Sequence, residues 1–246
     1  MTAEAVQTFG RQVVRAAPRT IARTEAVILG GRGHAAAVIE ALTGQGITVI
    51  GCIDDDPAML DREVHQGVKV IGPSERLEGL RAEGVRLAYV GVGGIGAHGL
   101  DEGSIRARVF NLLVAHDFVV PPVVSRDAHV APGVAIGPGS VVFAGAVVGA
   151  ECRIGANVLI NQGSQVCHGV TIGDHAHITP GATIGGNCRV GRGSIIGMGA
   201  SILLDVVVGD FAIIHNNAAI TGQVPDLTEV YTDGRRFERG PDAAFV

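Results

Sequence analysis

The sequence predicts an α/β domain with a Rossmann-like parallel sheet, followed by a parallel β-helix of hexapeptide repeats. Three observations carry this. From Val124 to Ile220 every sixth residue is Val or Ile, seventeen positions without a slip. Four residues after each aliphatic comes a second regular position, mostly Ala, Ser, Val or Cys, as at Ala128, Ser140, Cys152, Ser164, Ala176 and Ala182. Ahead of this stretch, apolar runs alternate with helix-like segments, the pattern of a parallel sheet with crossover helices.

A period of six is neither the 3.6 of a helix nor the 2 of a half-buried strand. It is the repeat of a β-helix, in which each hexad gives one short strand and one corner. Three hexads close a triangular coil of eighteen residues. The aliphatic and the small residue point inward, and β-branched side chains suit such a buried pleated surface. Coils stack at about 4.8 Å, so the seventeen hexads make a prism roughly 27 Å long.

Four units follow in chain order. Residues 1–24 form an arm with Arg11, Arg15, Arg19 and Arg23 at four-residue spacing and Pro18 interrupting any helix. Residues 25–117 form the α/β domain, 118–226 the β-helix and 227–246 a C-terminal tail. Within the α/β domain, 25–30 is a buried strand, 31–34 a tight turn and 35–43 a helix. Strands are expected at 47–53, 68–71 and 86–92, and helices at 76–83 and 104–115.

Composition narrows the functions. The charged fraction of 17% and aromatic fraction of 4% are low, and 37 residues are Gly, as a β-helix requires. A net charge of −5 argues against nucleic acid as a partner. No apolar run reaches the ~18 residues of a membrane span. Cys152 and Cys188 share a column two coils apart, about 9.6 Å at the coil spacing, too far to bridge. They read as small core residues in a reducing compartment, hence a cytoplasmic protein.

The turn Gly31-Arg32-Gly33-His34-Ala35-Ala36 follows a strand, and Asp54 lies about twenty residues on, which fits a dinucleotide fingerprint. Glycines let backbone N–H groups approach phosphate, and a helix N-terminus favours negative charge. NAD or a nucleotide sugar would satisfy such a site; a tight turn without ligand is the third reading.

In the prism, residues 161–182 hold three of the nine His. The eighteen-residue coil puts Gly186 directly above His168 and stacks Pro180, Met198 and Asn216 in one outer column. His is the natural base near neutral pH, and a backbone N–H at a Gly corner suits an oxyanion. His175 and His177 would share a face of a strand and could begin a zinc site, but no third ligand has suitable spacing; no metal is expected.

The chain carries Gly-x-Gly-His at 31–34, Asp-Asp-Asp-Pro at 54–57 and Gly-Val-Gly at 91–93. A prism with Asn161-x-Gly-Ser-x-Val-x-His168 and Ile172-Gly-Asp-x-x-His177-Ile-x-Pro-Gly-Ala182 follows. Together these motifs, over roughly residues 25–226, resemble the sialic acid O-acetyltransferase (NeuD-like) family of sugar acyltransferases. That family includes bacterial nucleotide-sugar N-acetyltransferases of the bacillosamine and perosamine type. The resemblance implies a homotrimer of left-handed β-helices with the active site between neighbouring prisms. It implies acetyl-CoA as co-substrate and the amino group of a nucleotide-linked sugar as acceptor. By the same resemblance His168 matches the catalytic base and Asn161 a residue near the sugar amine. Arg32, Gly33, His34, Asp54, Asp55 and Gly93 match nucleotide-sugar contacts; His177, Gly186, Met198 and Asn216 match positions lining the acetyl-CoA site. O-acetylation of a sugar, or binding of a nucleotide sugar without turnover, are the alternatives.

The chain departs from the family pattern in three places. Gly169 stands where an acidic residue usually follows the catalytic His and orients its ring. His215-Asn216-Asn217 replaces a small Gly/Ala corner. The usual closing Gly-x-Pro-Ala is absent, and Val224-Pro225-Asp226 is followed by Tyr231 to Phe237, expected to add a short strand or arm over a neighbouring prism.

Overall fold

The computed structural model describes residues 24–93 and 104–239. The arm expected at 1–24, apart from Thr24, lies outside the described residues, as does Gly94.

The α/β domain runs β1 (Thr24–Leu29), α1 (Gly33–Leu42), β2 (Ile47–Ile53), β3 (Glu63–His65), β4 (Val68–Gly72), α2 (Arg76–Ala82), β5 (Leu87–Val90) and α3 (Ile105–Ala115). The sheet order is β3-β4-β2-β1-β5. All pairs are parallel except β3 with β4. The sequence reading missed β3 and the 3-10 turn Pro57–Met59 before it. Glu-Val-His is too short to show a period, and Gln66 and Gly67, both at positive φ, form the hairpin turn that pairs it. The expected strand at 86–92 is shorter, because Gly91 to Gly93 leave the sheet to form a loop.

The order matters for function. From β1 the chain goes one way to β2, and after β4 it crosses back to β5 on the other side of β1. The C-terminal ends of β1 and β5 therefore flank the topological switch point, where open α/β sheets hold ligands. The two loops touch there. The Gly91 N–H donates to Leu29 O at 2.8 Å, and a Cβ on Gly30, at φ +115°, would sit 2.7 Å from Gly91 O.

Seventeen two-residue strands, β6 (Val123–Val124) to β22 (Ala219–Ile220), make the prism. They sort into three parallel sheets, one per face. The first face holds β6, β9, β12, β15, β18 and β21, the second β7 to β22 and the third β8 to β20, every third strand in each case. Register is eighteen residues throughout: Val142 pairs with Ile160, Ile160 with Ile178 and Ile178 with Ile196. The Val/Ile and small positions fill the interior as one continuous core. Polar corner side chains tie the coils together. Asp174 Oδ1 accepts from Ala156 N–H at 2.7 Å, and Asp210 Oδ1 from Arg192 N–H at 2.8 Å. Inside, Ser140, Ser164 and Ser194 at the small position hydrogen-bond to backbone carbonyls.

The tail adds β23 (Thr228–Val230), parallel to β21, and β24 (Arg236–Glu238), antiparallel to β23, so these strands close the upper end of the chain's own first face instead of reaching over a neighbouring prism. His215 stacks on Tyr231 with centroids 4.1 Å apart, and both bond to Glu229 Oε2 at 3.0 Å.

The α/β domain sits on the first face. Val123, Val141, Phe143 and Leu159 there share a core with Val38, Ile39 and Leu42 of α1. Arg106 of α3 is 3% exposed and donates to Asn157 O and to His175 O, the latter at 2.6 Å.

Ile178, fully buried in mid-prism, tests the core. Ile178→Ala is expected to cost about 2–5 kcal/mol, the range for truncating a buried aliphatic where the surroundings cannot collapse. Thermal unfolding followed by circular dichroism should show a clearly lowered midpoint. An unchanged midpoint would mean the coils are not rigidly stacked.

Candidate functional site

The turn after β1 is built by backbone geometry. Gly31 N–H donates to Asp54 Oδ2 at 2.9 Å, and Asp54 Oδ1 accepts from Asp56 N–H at 3.0 Å. Asp54 thus binds the two loops at the sheet's C-terminal edge to each other. Asp55 accepts from Ser74 N–H at 2.7 Å. Arg32, exposed, pairs with Asp56 at 2.6 Å. Gly33 opens α1 and leaves open space where a Cβ would stand. His34 lies between this turn and the prism. Its ring meets Phe143 edge-on, centroids 5.5 Å apart. Gly93 is packed so close that a Cβ there would lie 2.7 Å from His34 Nδ1. The structure therefore gathers Arg32, Gly33, His34, Asp54 and Gly93 at one switch point, with Asp55 just outside it.

On the prism, each edge is a set of columns. The first/second edge carries Phe143, beneath His34, and one coil further up Asn161. Asn161 is buried and donates to Ile178 O at 2.9 Å. Higher on the same edge are Met198, half-exposed, and Asn216, whose Oδ1 accepts from Met198 N–H at 2.8 Å. The stacking expected from the coil period is present.

The second/third edge carries His168 with Gly186 one coil above it. A Cβ on Gly186 would fall 2.8 Å from His168 Cε1 and 2.9 Å from Nε2. The imidazole rests on the glycine's bare Cα, and any side chain there would displace it. His168 is exposed. Leu204, 57% exposed, is next in the column, with Leu203 beside it.

His177 and His175 do not share a face. Only His177 is in a strand; His175 is a corner residue with φ +60°. Its Nδ1 lies 2.9 Å from Asn157 Nδ2, at the third/first edge. His177 points from the first face and is buried beneath the α/β domain. Among the described residues no group of three potential metal ligands is present.

Arg106 was not singled out from the sequence. It stands between the domains, and its charge bears on both His34 and His177. Burial first, then Arg106, lowers the His34 ring to about 4. Burial, Arg106 and then His34 lower His177 to about 3. Both rings are neutral at pH 7. His34 Nε2, His177 Nδ1 and Arg106 Nε are buried without protein hydrogen bonds. One signal was available: Arg106, Phe110 and Leu113 lie at i, i+4 and i+7 and are all buried. An Arg on the apolar stripe of a helix has a specific task.

The geometry separates the candidate residues into two groups. The nucleotide turn, Asn161, Met198 and Asn216 follow the first/second edge; His168 and Gly186 occupy the second/third. The strands of a whole face stand between them.

The family description "Bacterial transferase hexapeptide (six repeats)" matches residues 151–186. No curated protein sequence matches the chain. Among solved structures, PerB from Caulobacter crescentus, in complex with CoA and GDP-perosamine, is 29% identical over 89% of this chain and 100% of its own, with a TM-score of 0.77. The acetyltransferase domain of PglB from Neisseria gonorrhoeae, in complex with acetyl coenzyme A, is 31% identical over 85% of this chain and 96% of its own, with a TM-score of 0.73. WeeI from Acinetobacter baumannii shares the fold at 21% identity, covering 87% of this chain and 100% of its own, with a TM-score of 0.70.

The depressed histidines have a measurable consequence. Above pH 6.5 both rings are neutral whether the chain is folded or not. Below it the unfolded chain takes up protons that the folded rings refuse, so stability falls until about pH 4 for His34 and about pH 3 for His177. Each group contributes at most ~1.4 kcal/mol per pH unit in its window. Thermal midpoints measured from pH 7 to pH 4 should fall less steeply in His177→Asn than in the natural chain. Equal slopes would show that His177 is not held neutral.

Proposed function

Because the chain belongs to the NeuD-like family of sugar acyltransferases, we propose that it transfers acetyl from acetyl-CoA to the amino group of a nucleotide-linked sugar. The observation that carries this is the likeness over both domains at once. It spans the α/β switch point and the prism, and so includes both halves of such a site.

The nucleotide sugar binds at the switch point. Backbone N–H groups at the start of α1 face its pyrophosphate. Gly31 to His34, the loop braced by Asp54, and Gly93 shape the cleft. Neutral His34 serves as a hydrogen-bonding group without competing as a cation, and Asn161 lies one coil above Phe143, on the way to the sugar amine. Acetyl-CoA extends along the Met198 and Asn216 column. The amine nitrogen attacks the thioester carbonyl. A C–N bond forms, the C–S bond breaks, and His168 takes the proton that the nitrogen loses and passes it to the departing thiolate. The tetrahedral oxyanion accepts a hydrogen bond from Gly186 N–H. The neighbouring Gly185 and Asn187 N–H groups are already engaged with Ile202 O and His168 O.

His168 stands at the edge opposite the face that carries the α/β domain. A sugar held at the switch point of one copy is therefore served by His168 of another. The reading is a homotrimer in the cytoplasm, with each site shared between two prisms. The exposed Leu203, Leu204 and Val207 beside the His168 column support such a contact.

Two measurements test this. Thiol release with acetyl-CoA and a panel of GDP- and UDP-linked amino sugars should show turnover that drops about 10²–10⁴-fold in His168→Ala, the range for loss of a general base. His168→Ala and His34→Ala, each weak alone, should recover activity after subunit exchange. Random mixing leaves about one site in four with both residues intact, as rotational symmetry requires. Turnover unchanged in His168→Ala would remove the base, and absence of recovery would place each site within one chain.

A further inference from the structure

The missing acid at Gly169 leaves His168 without the group that usually orients it. The coil period shows what occupies its place. Glu151, Gly169, Asn187 and Asp205 form one column beside that of His168, and share the left-handed corner conformation, with φ between 59° and 69°. Asn187 leans down its column: a Cβ on Gly169 would stand 2.5 Å from Asn187 Oδ1, so the amide oxygen fills the volume that a side chain at 169 would use. In the opposite direction Asn187 Nδ2 donates to Asp205 Oδ1 at 3.1 Å. Asn187 is also joined to His168 through the backbone, its N–H donating to His168 O at 2.9 Å.

The two side chains lie in the same layer. The His168 ring fills the space between coils at Gly186, and the Asn187 oxygen fills it one residue along. Among the described residues the ring packs on Gly186 and has no hydrogen-bond partner. Catalytic hydrogen bonds commonly close only when substrate is bound.

We propose that Asn187, braced by Asp205, is the positioning residue of His168, its amide oxygen accepting the ring N–H in place of the absent acid at Gly169. The inference rests on His168 being the base of the transfer reaction. Asp205 polarises the amide by accepting from its nitrogen, so the amide oxygen becomes a better acceptor and favours the imidazolium that forms on proton uptake. An amide gives a weaker effect than a carboxylate and adds no charge beside the acyl group.

Asn187→Gly tests it cleanly, because Gly accepts φ +60° without strain. Turnover is expected to fall roughly tenfold with little change in KM, a fraction of what the base itself supplies. The acid limb of kcat/KM against pH, which reports His168, should move to lower pH, since a ring without its acceptor is a weaker base. The double variant Gly169→Asp with Asn187→Gly should restore turnover and move the limb above its natural position. Removing the Asn187 side chain takes away the two atoms nearest the new Cβ, and the next, the Asn187 Cα, stands at an ordinary 3.6 Å. Glu151→Gln, the other carboxylate side of the column, separates a general electrostatic effect from this one. A limb that moves in Glu151→Gln but not in Asn187→Gly, or an Asn187→Gly enzyme with natural turnover and limb, would overturn the proposal. No turnover in the natural enzyme together with every variant would instead overturn the transferase reading itself.

Discussion

Everything in this molecule depends on the in-register stacking of eighteen-residue coils. Each Val or Ile sits directly over another, and each coil's backbone hydrogen-bonds to the next. A slip of one residue would turn every inward side chain outward, so the register is fixed over its whole length. The same constraint acts outside the core. Residues eighteen apart share a column, and the corners become three vertical edges. Edges with ordered columns can hold extended ligands or partners, and here the three edges carry different residues.

The second constraint is the seam between the domains. A buried Arg is costly unless its donors are used, and Arg106 uses both terminal nitrogens on Asn157 O and His175 O, carbonyls of successive coils, leaving only Nε unmatched. It pins α3 to the third/first edge while α1 packs on the first face. The seam thereby fixes the height of the β1–α1 turn on the prism, with His34 over Phe143 and Asn161 a coil above. Burial in that seam, and after it the charge of Arg106, keeps protons off His34 and His177. The seam thus sets where the turn lies, and its burial and its one guanidinium together keep the nearby imidazoles neutral.

What could be read from the sequence was whatever the period dictates. Gly186 over His168, and Asn216 over Met198, follow from counting eighteens, and the structure shows the contacts. The nucleotide turn could be read because its glycines are local to it. The seam could not. His175 and His177 suggested a shared strand face because their spacing is two. The corner at His175, in a left-handed conformation, breaks that alternation, and the cover over His177 comes from a domain far away in sequence. Arg106 escaped notice because its partners are backbone carbonyls, which no motif records. The strand β3 is three residues long, too short for any period to declare it.

The split of candidate residues between two edges is itself informative. A prism face is roughly 15 Å across at ~3.3 Å per residue, far beyond the contact distance that proton transfer demands. Side-chain motion cannot bridge that gap, and the register forbids rotating one coil against another. The α/β domain cannot migrate to the far edge either, since doing so would expose its shared core and strand the Arg106 charge. Under the proposed reading the remaining solution is a second copy, contacted heterologously: one subunit's His168 edge against its neighbour's Met198 edge. A heterologous contact either closes into a ring or grows without limit. Closure follows where successive copies are related by a pure rotation, and the first face, covered by its own α/β domain, stands outside that contact.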